Sequence, residues 1–394
     1  MDKLFKSRME LDTARKIFLD VIQPLMGIES VPIETADNRI LASEVFSEQN
    51  VPHYRRSAMD GFAVRAEDVL SASPASPIIL NLTEEEVIQN TCHRVHTGSA
   101  MPAGADAVVM LEDSRLMNGA VEITAQVHPN KHVGEIGEDI EAGDRLLEPG
   151  HQLRPGDLAV LGSIGIQDIE VYHKPMIAII PTGEEVMPRG TMLNPGEIWE
   201  TNSLMTASYV NKFGAVPRIS DIITDNYEIL RQAILAESDA DMLIISGGTS
   251  VGERDLISSV IEEIGELLVH GVAISPGKPT ALGIVNQKPV LCMPGYPVAG
   301  LVALLVFGKD AIQKLGHIPK RPEIMIWLPL KDKITSRQGY QTYVRVRIVD
   351  NMVEPLMASG AGILSSVAKA DGYVVVPPNI EGYGAGTEVD VILF

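Results

Sequence analysis

Met242-Leu243-Ile244-Ile245-Ser246-Gly247-Gly248-Thr249-Ser250-Val251-Gly252-Glu253-Arg254-Asp255 decides the fold. Its first half is a short, continuously apolar run, the pattern of a parallel strand covered on both faces. Its second half is a glycine-paired turn, and the apolar positions that follow from residue 255 to 264 repeat as on a helix. Strand, glycine turn and helix in that order make one unit of a doubly wound α/β sheet. Paired glycines let backbone N–H groups approach an anion, and a helix N-terminus favours negative charge. Ser246 and Ser250 add hydroxyl donors, and Asp255 is placed to cap the helix or to hold a metal. The same residues also suit a plain strand–helix turn. The turn is not a P-loop, because no Gly-Lys-Ser/Thr ending follows.

The same grammar extends on both sides. Strands are expected at 176–181, 216–223, 241–246, 268–274 and 289–293, and helices near 201–213, 226–237, 255–264 and 297–315. In such a sheet the ligand site lies at the carboxyl ends of the strands. Three acidic turns fall there: Thr182-Gly183-Glu184-Glu185, Asp225-Asn226 and Asp255. Each alone reads as a helix cap, but together they suit a hard cation such as Mg²⁺, which takes few carboxylates plus phosphate oxygens and water. Ser275-Pro276-Gly277-Lys278-Pro279 positions a lysine in a turn, and Met293-Pro294-Gly295-Tyr296-Pro297 leads into an apolar helix with Pro297 in its first turn.

Outside this block the chain changes character. Residues 10–29 predict a helix capped by Asp12 or Thr13. From about 30 to 172 short strands alternate with Gly and Pro, as at 106–110, 121–123 and 166–171. Residues 321–394 return to strands at 341–349, 373–376 and 388–393, with no good helix.

Composition removes several function classes. The chain has 394 residues, 45% hydrophobic, enough for more than one core. Its net charge of −20 repels a phosphate backbone, so no nucleic-acid partner is expected. An anionic substrate would need Lys, Arg or a metal to reverse the field locally. Two cysteines, Cys92 and Cys292, make neither a disulfide framework nor a zinc site, and a reduced, cytoplasmic setting is expected. His93 and His96 have no carboxylate partner at ligand spacing, and no Gly-x-Ser-x-Gly elbow occurs. The N-terminus has no signal-peptide pattern. The uncharged stretch Pro289 to Gly308 carries three prolines and reads as strand, turn and buried helix rather than a membrane span.

Taken in order, the motifs resemble one family. Ser57-Ala58-Met59-Asp60-Gly61-Phe62-Ala63, Thr97-Gly98 with Pro102-x-Gly104-Ala105-Asp106-Ala107-Val108-Val109, and Gly137-Glu138-Asp139-Ile140 look like its N-terminal signatures. Thr182-Gly183-Glu184-Glu185, Ser246-Gly247-Gly248-Thr249-Ser250, Pro276-Gly277-Lys278-Pro279 and Pro294-Gly295-Tyr296-Pro297-Val298 look like those of its α/β domain. The family is the molybdopterin molybdenumtransferases, the MoeA proteins and the E domain of gephyrin, and the resemblance spans nearly the whole chain.

The resemblance implies a MogA-like α/β domain at 173–318, a linking domain from 1–48 plus 140–172, an inserted β-rich domain at 49–139, and a C-terminal β-barrel-like domain at 319–394. It implies a homodimer with the active site in a cleft between subunits. The implied substrates are adenylylated molybdopterin and molybdate, with Mg²⁺ as cofactor, AMP released, and the adenylylating enzyme of the pathway as a further partner. Asp60, Asp139, Glu185, Asp225 and Asp255 would be catalytic, the last three at the metal. Thr97, Ser246, Gly247, Gly248, Ser250, Lys278, Pro294, Pro297 and Arg345 would bind substrate.

Four departures bear on the oxyanion. Ser275 and Gly271 stand where many members carry Lys, Tyr296 where Asn is usual, and Ala361 where a Ser is frequent. Either His270 or Arg254 is a candidate to compensate. A tungstate-using paralogue and a gephyrin-like dimeric scaffold with weak insertion are the alternatives.

Overall fold

The apolar runs Met176–Pro181 and Met242–Ser246 lie side by side as parallel strands, with almost every residue buried. In the computed structural model, which describes residues 8–247, 256–356 and 362–394, they are β1 and β3 of a six-stranded sheet. Numbered within this domain, β2 is Val216–Ile219, β4 Gly265–His270, β5 Ala281–Val285 and β6 Lys288–Met293. The order is β2-β1-β3-β6-β5-β4. The first four strands are parallel, and β5 and β4 run antiparallel to their neighbours.

Alternation within each strand explains why both faces are apolar. Ile177, Ile179, Met242 and Ile244 join one core with Ala207 and Val210 of helix α1 (Asn202–Lys212) and Phe18 of the helix Leu11–Asp20. Ile180, Leu243 and Ile245 face the other way, onto Leu230 and Ile234 of α2 (Tyr227–Ala236) and Ile257, Val260 and Ile261 of α3 (Leu256–Ile264). Each such side chain, fully buried, contributes roughly 1.5–3 kcal/mol.

Several expected boundaries move. The first helix stops at Asp20 rather than 29, because Pro24 bars its continuation, and its N-cap is Glu10, not Asp12 or Thr13. The run expected at 268–274 ends at His270, and Ile274–Ser275 crosses into another sheet. That sheet holds Gln341–Val349, Gly372–Val376, Glu388–Leu393 and Met325–Pro329, with a short helix at Leu364–Ala368 where none is expected. β5 is an unexpected strand, joined to β6 through Asn286 and Gln287, both at positive φ. The apolar stretch from 297 is a helix in the protein interior, beginning with α4 (Pro297–Ala303). No described helix is long and apolar enough to cross a membrane.

The chain divides into two compact units, one formed by the segments ending at Glu29, Asn38–Ala42 and Glu170–Phe394, the other by Ser30–Asp37 and Ser43–Ile169. The second unit has its own six-stranded sheet, with strands 107–110, 61–64, 91–95, 78–82, 120–123 and 114–116 in spatial order. Its core includes Phe62, Leu80, Cys92, Val109 and Ile123. Cys92 and Cys292 are both buried and outside any disulfide, and burial pushes the Cys92 thiol up to about 12.

Candidate active site at the carboxyl ends of the α/β strands

From β1 the chain goes to β2 on one side, and from β3 it goes to the strands on the other, so the β1/β3 boundary is the topological switch point. Thr182 and Ser246-Gly247 sit there. The Thr182 amide and hydroxyl both donate to the Ser246 carbonyl, at 2.8 and 3.3 Å. Gly247 adopts φ +116°, and a Cβ on it would lie 2.4 Å from the Thr182 carbonyl oxygen. Only glycine passes at that point. Gly248, Ser250 and Asp255, expected to continue this turn, lie outside the described residues, as does Arg254.

Asn202, the first residue of α1, ties two strand ends together. Its Nδ2 donates to Ser246 Oγ at 3.1 Å and to the Gly295 carbonyl at 2.7 Å. A carbonyl only accepts, so the nitrogen must face Gly295, and the buried Oδ1 is left without a partner among the described residues. Sequence reasoning passed over Asn202, whose only signal is its place at a helix start after Thr201. Pro294 continues from β6, and Pro297 is the first residue of α4, so both lie at the edge of this cluster. Tyr296 between them is 67% exposed, with its ring 3.2 Å from the Cβ that Gly362 would carry.

The structure brings together two of the three expected carboxylate turns. Gly183 N donates to the Ile223 carbonyl at 3.1 Å, and Thr182 bridges Ile223, which aligns the Glu184-Glu185 turn with Thr224-Asp225. Asp225 accepts a hydrogen bond from the Glu184 backbone, yet its carboxyl is raised above the ordinary value. Loss of solvent on its protein side is the main cause, and the negative charges of Glu185 and then Glu184 add to it. Asn226 caps α2, accepting from Ile229 N at 3.1 Å. The cap is therefore the neighbour, and Asp225 is not needed for it. Beside these turns lies a cleft of about 660 Å³ lined by Gly183, Glu184, Arg189, Glu200, Asp221 and Thr224 among others, within the range of small-molecule sites.

A raised carboxyl pKa means that the folded state holds the proton more tightly. The favourable linkage is complete below the ordinary Asp range and is lost as pH rises through the raised value. Asp225→Asn is therefore expected to raise Tm at neutral pH. The gain should be on the order of 1 °C, because the group is partly solvated, and it should vanish near pH ~4. Calorimetric scans of both proteins across pH check this; a lower Tm for the variant at pH 7 would contradict it.

Lys278 and Arg345 occupy different surroundings. Gly277, at φ +121°, sets the Lys278 turn, and the Gly277 carbonyl accepts from Thr280 Oγ1 at 2.6 Å. Lys278 Nζ rests 4.3 Å from the Tyr340 ring centroid. Arg345, on the strand Gln341–Val349, is 6% exposed, and burial pushes its guanidinium down from its ordinary range. Its Nε donates to Ser366 Oγ at 2.8 Å, and Ser366 in turn donates to the Ile363 carbonyl at 2.5 Å. Ser275 pairs with Thr342 across the parallel junction of the two sheets, and Ala361 lies outside the described residues.

In the second unit Asp60 and Thr97 meet. The Thr97 amide donates to Asp60 Oδ1 at 2.8 Å, the Thr97 hydroxyl lies at 3.3 Å, and the carboxyl is held below the usual range. The Thr97 amide is the chief cause, against a small desolvation cost, with the Thr97 hydroxyl and His96 adding to it. His96 Nδ1 is 3.6 Å from Asp60, a carboxylate that no ligand spacing in the sequence sets beside it. Sequence spacing missed it because the two residues meet across the junction of adjacent strands. Asp139 sits on a separate exposed turn, its amide donating to the Val51 carbonyl at 3.1 Å. No side-chain bond joins Asp139 to Asp60 among the described residues.

Among the described residues no group of three or more His, Cys, Asp or Glu side chains forms a metal site on its own. Two carboxylates at a strand end suit a cation whose remaining ligands are water and phosphate oxygens.

Comparison with known proteins matches this arrangement along the whole chain. The MoeA N-terminal region (domain I and II) model matches residues 9–165, MoCF_biosynth ("Probable molybdopterin binding domain") residues 178–314, and the MoeA C-terminal region (domain IV) residues 328–394. A Methanocaldococcus jannaschii protein named for molybdopterin biosynthesis is 39% identical over 99% of both chains. A molybdopterin molybdenumtransferase of Nostoc is 32% identical over 97% of this chain and 92% of its own. The crystal structure of a molybdopterin biosynthesis MoeA protein from Pyrococcus horikoshii superposes with a TM-score of 0.84 at 30% identity, covering 98% of this chain and 100% of that one. With its three matched regions and relatives of its full length, the chain belongs to the MoeA family.

Proposed function

We propose that the chain is a transferase of molybdenum cofactor biosynthesis that inserts molybdate into adenylylated molybdopterin and releases AMP. The observation that carries this reading is the crowding of Asp225 by Glu185 and Glu184 at the switch point, next to the Thr182–Gly247 turn. Clustered carboxylates repel one another, and a site that keeps them suits a cation. Asp225 and Glu185 would hold Mg²⁺, with Asp255 as the further expected ligand. When bound, the ion neutralises charge on the phosphoanhydride oxygens.

The remaining chemistry is assigned to the chain itself. Thr182, Ser246, Gly247 and Asn202 lock together the strand edge to which the phosphate-bearing heterocycle is assigned, with the Thr182, Gly247 and Asn202 donors bonded to the Ser246, Met293 and Gly295 carbonyls. Hydrolysis of a phosphoanhydride needs charge stabilisation and an oriented water, not a covalent nucleophile. Lys278 and Arg345 supply positive charge for the oxyanion, and the forked guanidinium matches its geometry. Asp60, Thr97 and Asp139 are assigned to the same reaction from a partner subunit of a homodimer.

AMP release from adenylylated molybdopterin with Mg²⁺, measured with and without molybdate or tungstate, tests the proposal. Release that depends on molybdate is the expected result, and dependence on tungstate alone would change the metal assigned. Oxyanion-independent release would leave a hydrolase without insertion, and no release would leave the dimeric scaffold.

A further inference from the structure

The turn Met293-Pro294-Gly295-Tyr296-Pro297 carries an aromatic ring to the carboxyl edge of the sheet. A following proline disfavours the helical conformation, and Tyr296 is held extended, at φ −69° and ψ 124°. Its carbonyl accepts from Gly300 N at 2.9 Å, so α4 starts directly behind it and its backbone is fixed. The preceding residue is fixed as well. The Gly295 carbonyl accepts from Asn202 Nδ2 at 2.7 Å, and a Cβ on Gly295 would lie 3.5 Å from Gly247 Cα. Tyr296 therefore stands one residue from the point where the Gly295 and Gly247 turns touch. The protein does not take up its ring. Tyr296 is 67% exposed, and among the described residues no aromatic side chain is more exposed. One edge of the ring faces Gly362, with Cδ1 and Cε1 at 3.2 and 3.6 Å from where a Cβ would sit. A side chain at 362 would crowd that edge, so the glycine leaves the ring its place.

We infer that Tyr296 is a substrate-binding residue whose ring stacks on a flat heterocycle of the adenylylated pterin. The inference rests on the insertase reading above and adds a residue that the reading leaves unused. Single apolar side chains on a surface need no explanation. A large ring left in water beside the switch-point turns is different, because ligands of such sheets bind there. Tyrosine stacks on aromatic partners in offset geometry, and the facing surfaces of both rings lose their water. Pterin and adenine each present such a face, and they are the two flat rings of this substrate. Stacking carries no net charge, so it adds affinity without setting an anion against a protein of net charge −20. Residue type decides what the position can do. Asparagine, usual here in the family, has hydrogen bonds to offer but no extended apolar face. Tyr296 thus changes how the heterocycle is held rather than how the oxyanion is held.

Steady-state AMP release by the full chain, native and Tyr296→Leu, measures the contact. Leucine keeps apolar bulk against Gly362 and removes the aromatic face. KM for adenylylated molybdopterin is expected to rise on the order of 10- to 100-fold, the scale of losing one stacked ring, with kcat changed far less. Tyr296→Phe keeps the ring and is expected to restore most of that affinity. Titrations of both proteins with free pterin, followed by its fluorescence, and with AMP, followed by calorimetry, identify which ring is stacked. The stacked one is expected to bind Tyr296→Leu more weakly. An unchanged KM together with unchanged affinity for both probes overturns the inference and leaves the insertase reading in place. A Tyr296→Phe variant as weak as Tyr296→Leu also overturns it, since the effect would then belong to the hydroxyl. If the native chain releases no AMP, the insertase reading fails and the two titrations alone judge the ring. Equal affinities in native and Tyr296→Leu proteins overturn it there.

Discussion

Gly247→Ala is expected to lower the proposed AMP release at least about a hundredfold, because displacements of about 1 Å at a reacting centre cost on that order. The reason lies in two features that act together. At φ +116° an L side chain is strained, and its Cβ would come within 2.4 Å of the Thr182 carbonyl oxygen and 2.6 Å of the Thr182 hydroxyl. Real Cβ atoms do not approach backbone so closely, so either Thr182 or the turn must move. Thr182 is hydrogen bonded to Ser246, and Gly247 N donates to the Met293 carbonyl at 3.2 Å, so motion at either residue propagates to three strand ends. Tm should fall by a few degrees, in line with roughly 1–3 kcal/mol of backbone strain. Gly119→Ala is the control. Gly119 also has positive φ, +76°, but a Cβ there meets nothing within 4 Å. The control should lose some stability and keep its turnover. Wild-type turnover in Gly247→Ala would remove this turn from the site.

Arg345→Met is expected to raise the oxyanion concentration needed for the proposed AMP release on the order of 10- to 100-fold, the loss of a charge-assisted hydrogen-bonding group. The variant should fold. A flexible apolar side chain of similar length replaces a guanidinium that is 6% exposed, and replacing a buried charge by a well-packed apolar group is often neutral or stabilising. Ser366 loses the hydrogen bond from Arg345 Nε but keeps its own donation to the Ile363 carbonyl. Arg345→Lys keeps the charge without the fork and should fall between the two proteins. Measuring oxyanion dependence and Tm together separates the roles. A variant with a lowered Tm and unchanged oxyanion dependence would make Arg345 a structural cation.

Much of the α/β domain is legible in its residues. Runs such as Met176–Pro181 and Met242–Ser246 have no polar face, so only a strand with helices on both sides can bury them. Pro297 at the start of α4 and Asn226 as the cap of α2 follow from local chemistry. Boundaries were less legible. β5 begins Ala281-Leu282-Gly283, weak strand formers that become a strand only because β4 and β6 pair on either side.

The candidate site shows the same division. Glu184, Glu185 and Asp225 could be placed at one sheet edge from the strand order, because their turns follow the carboxyl ends of the first two strands. Asn202, Tyr340 and His96 could not. Asn202 meets Ser246 and Gly295 across 44 and 93 positions, and Tyr340 collects cations from residues 8, 278 and 337. Such pairings depend on register between strands far apart in the chain, and no local propensity encodes them.

By itself the sequence determined the α/β grammar, the acidic turns at the strand ends and the ordered motifs of the MoeA family, because periodicity and turn chemistry are local. Tertiary structure alone decided that Asp225 is raised by Glu185 and Glu184, that Thr97 and His96 hold Asp60, and that three basic residues share one ring. A shifted carboxyl or a gathered patch of charge is set by distance through space, and only the packed chain specifies those distances.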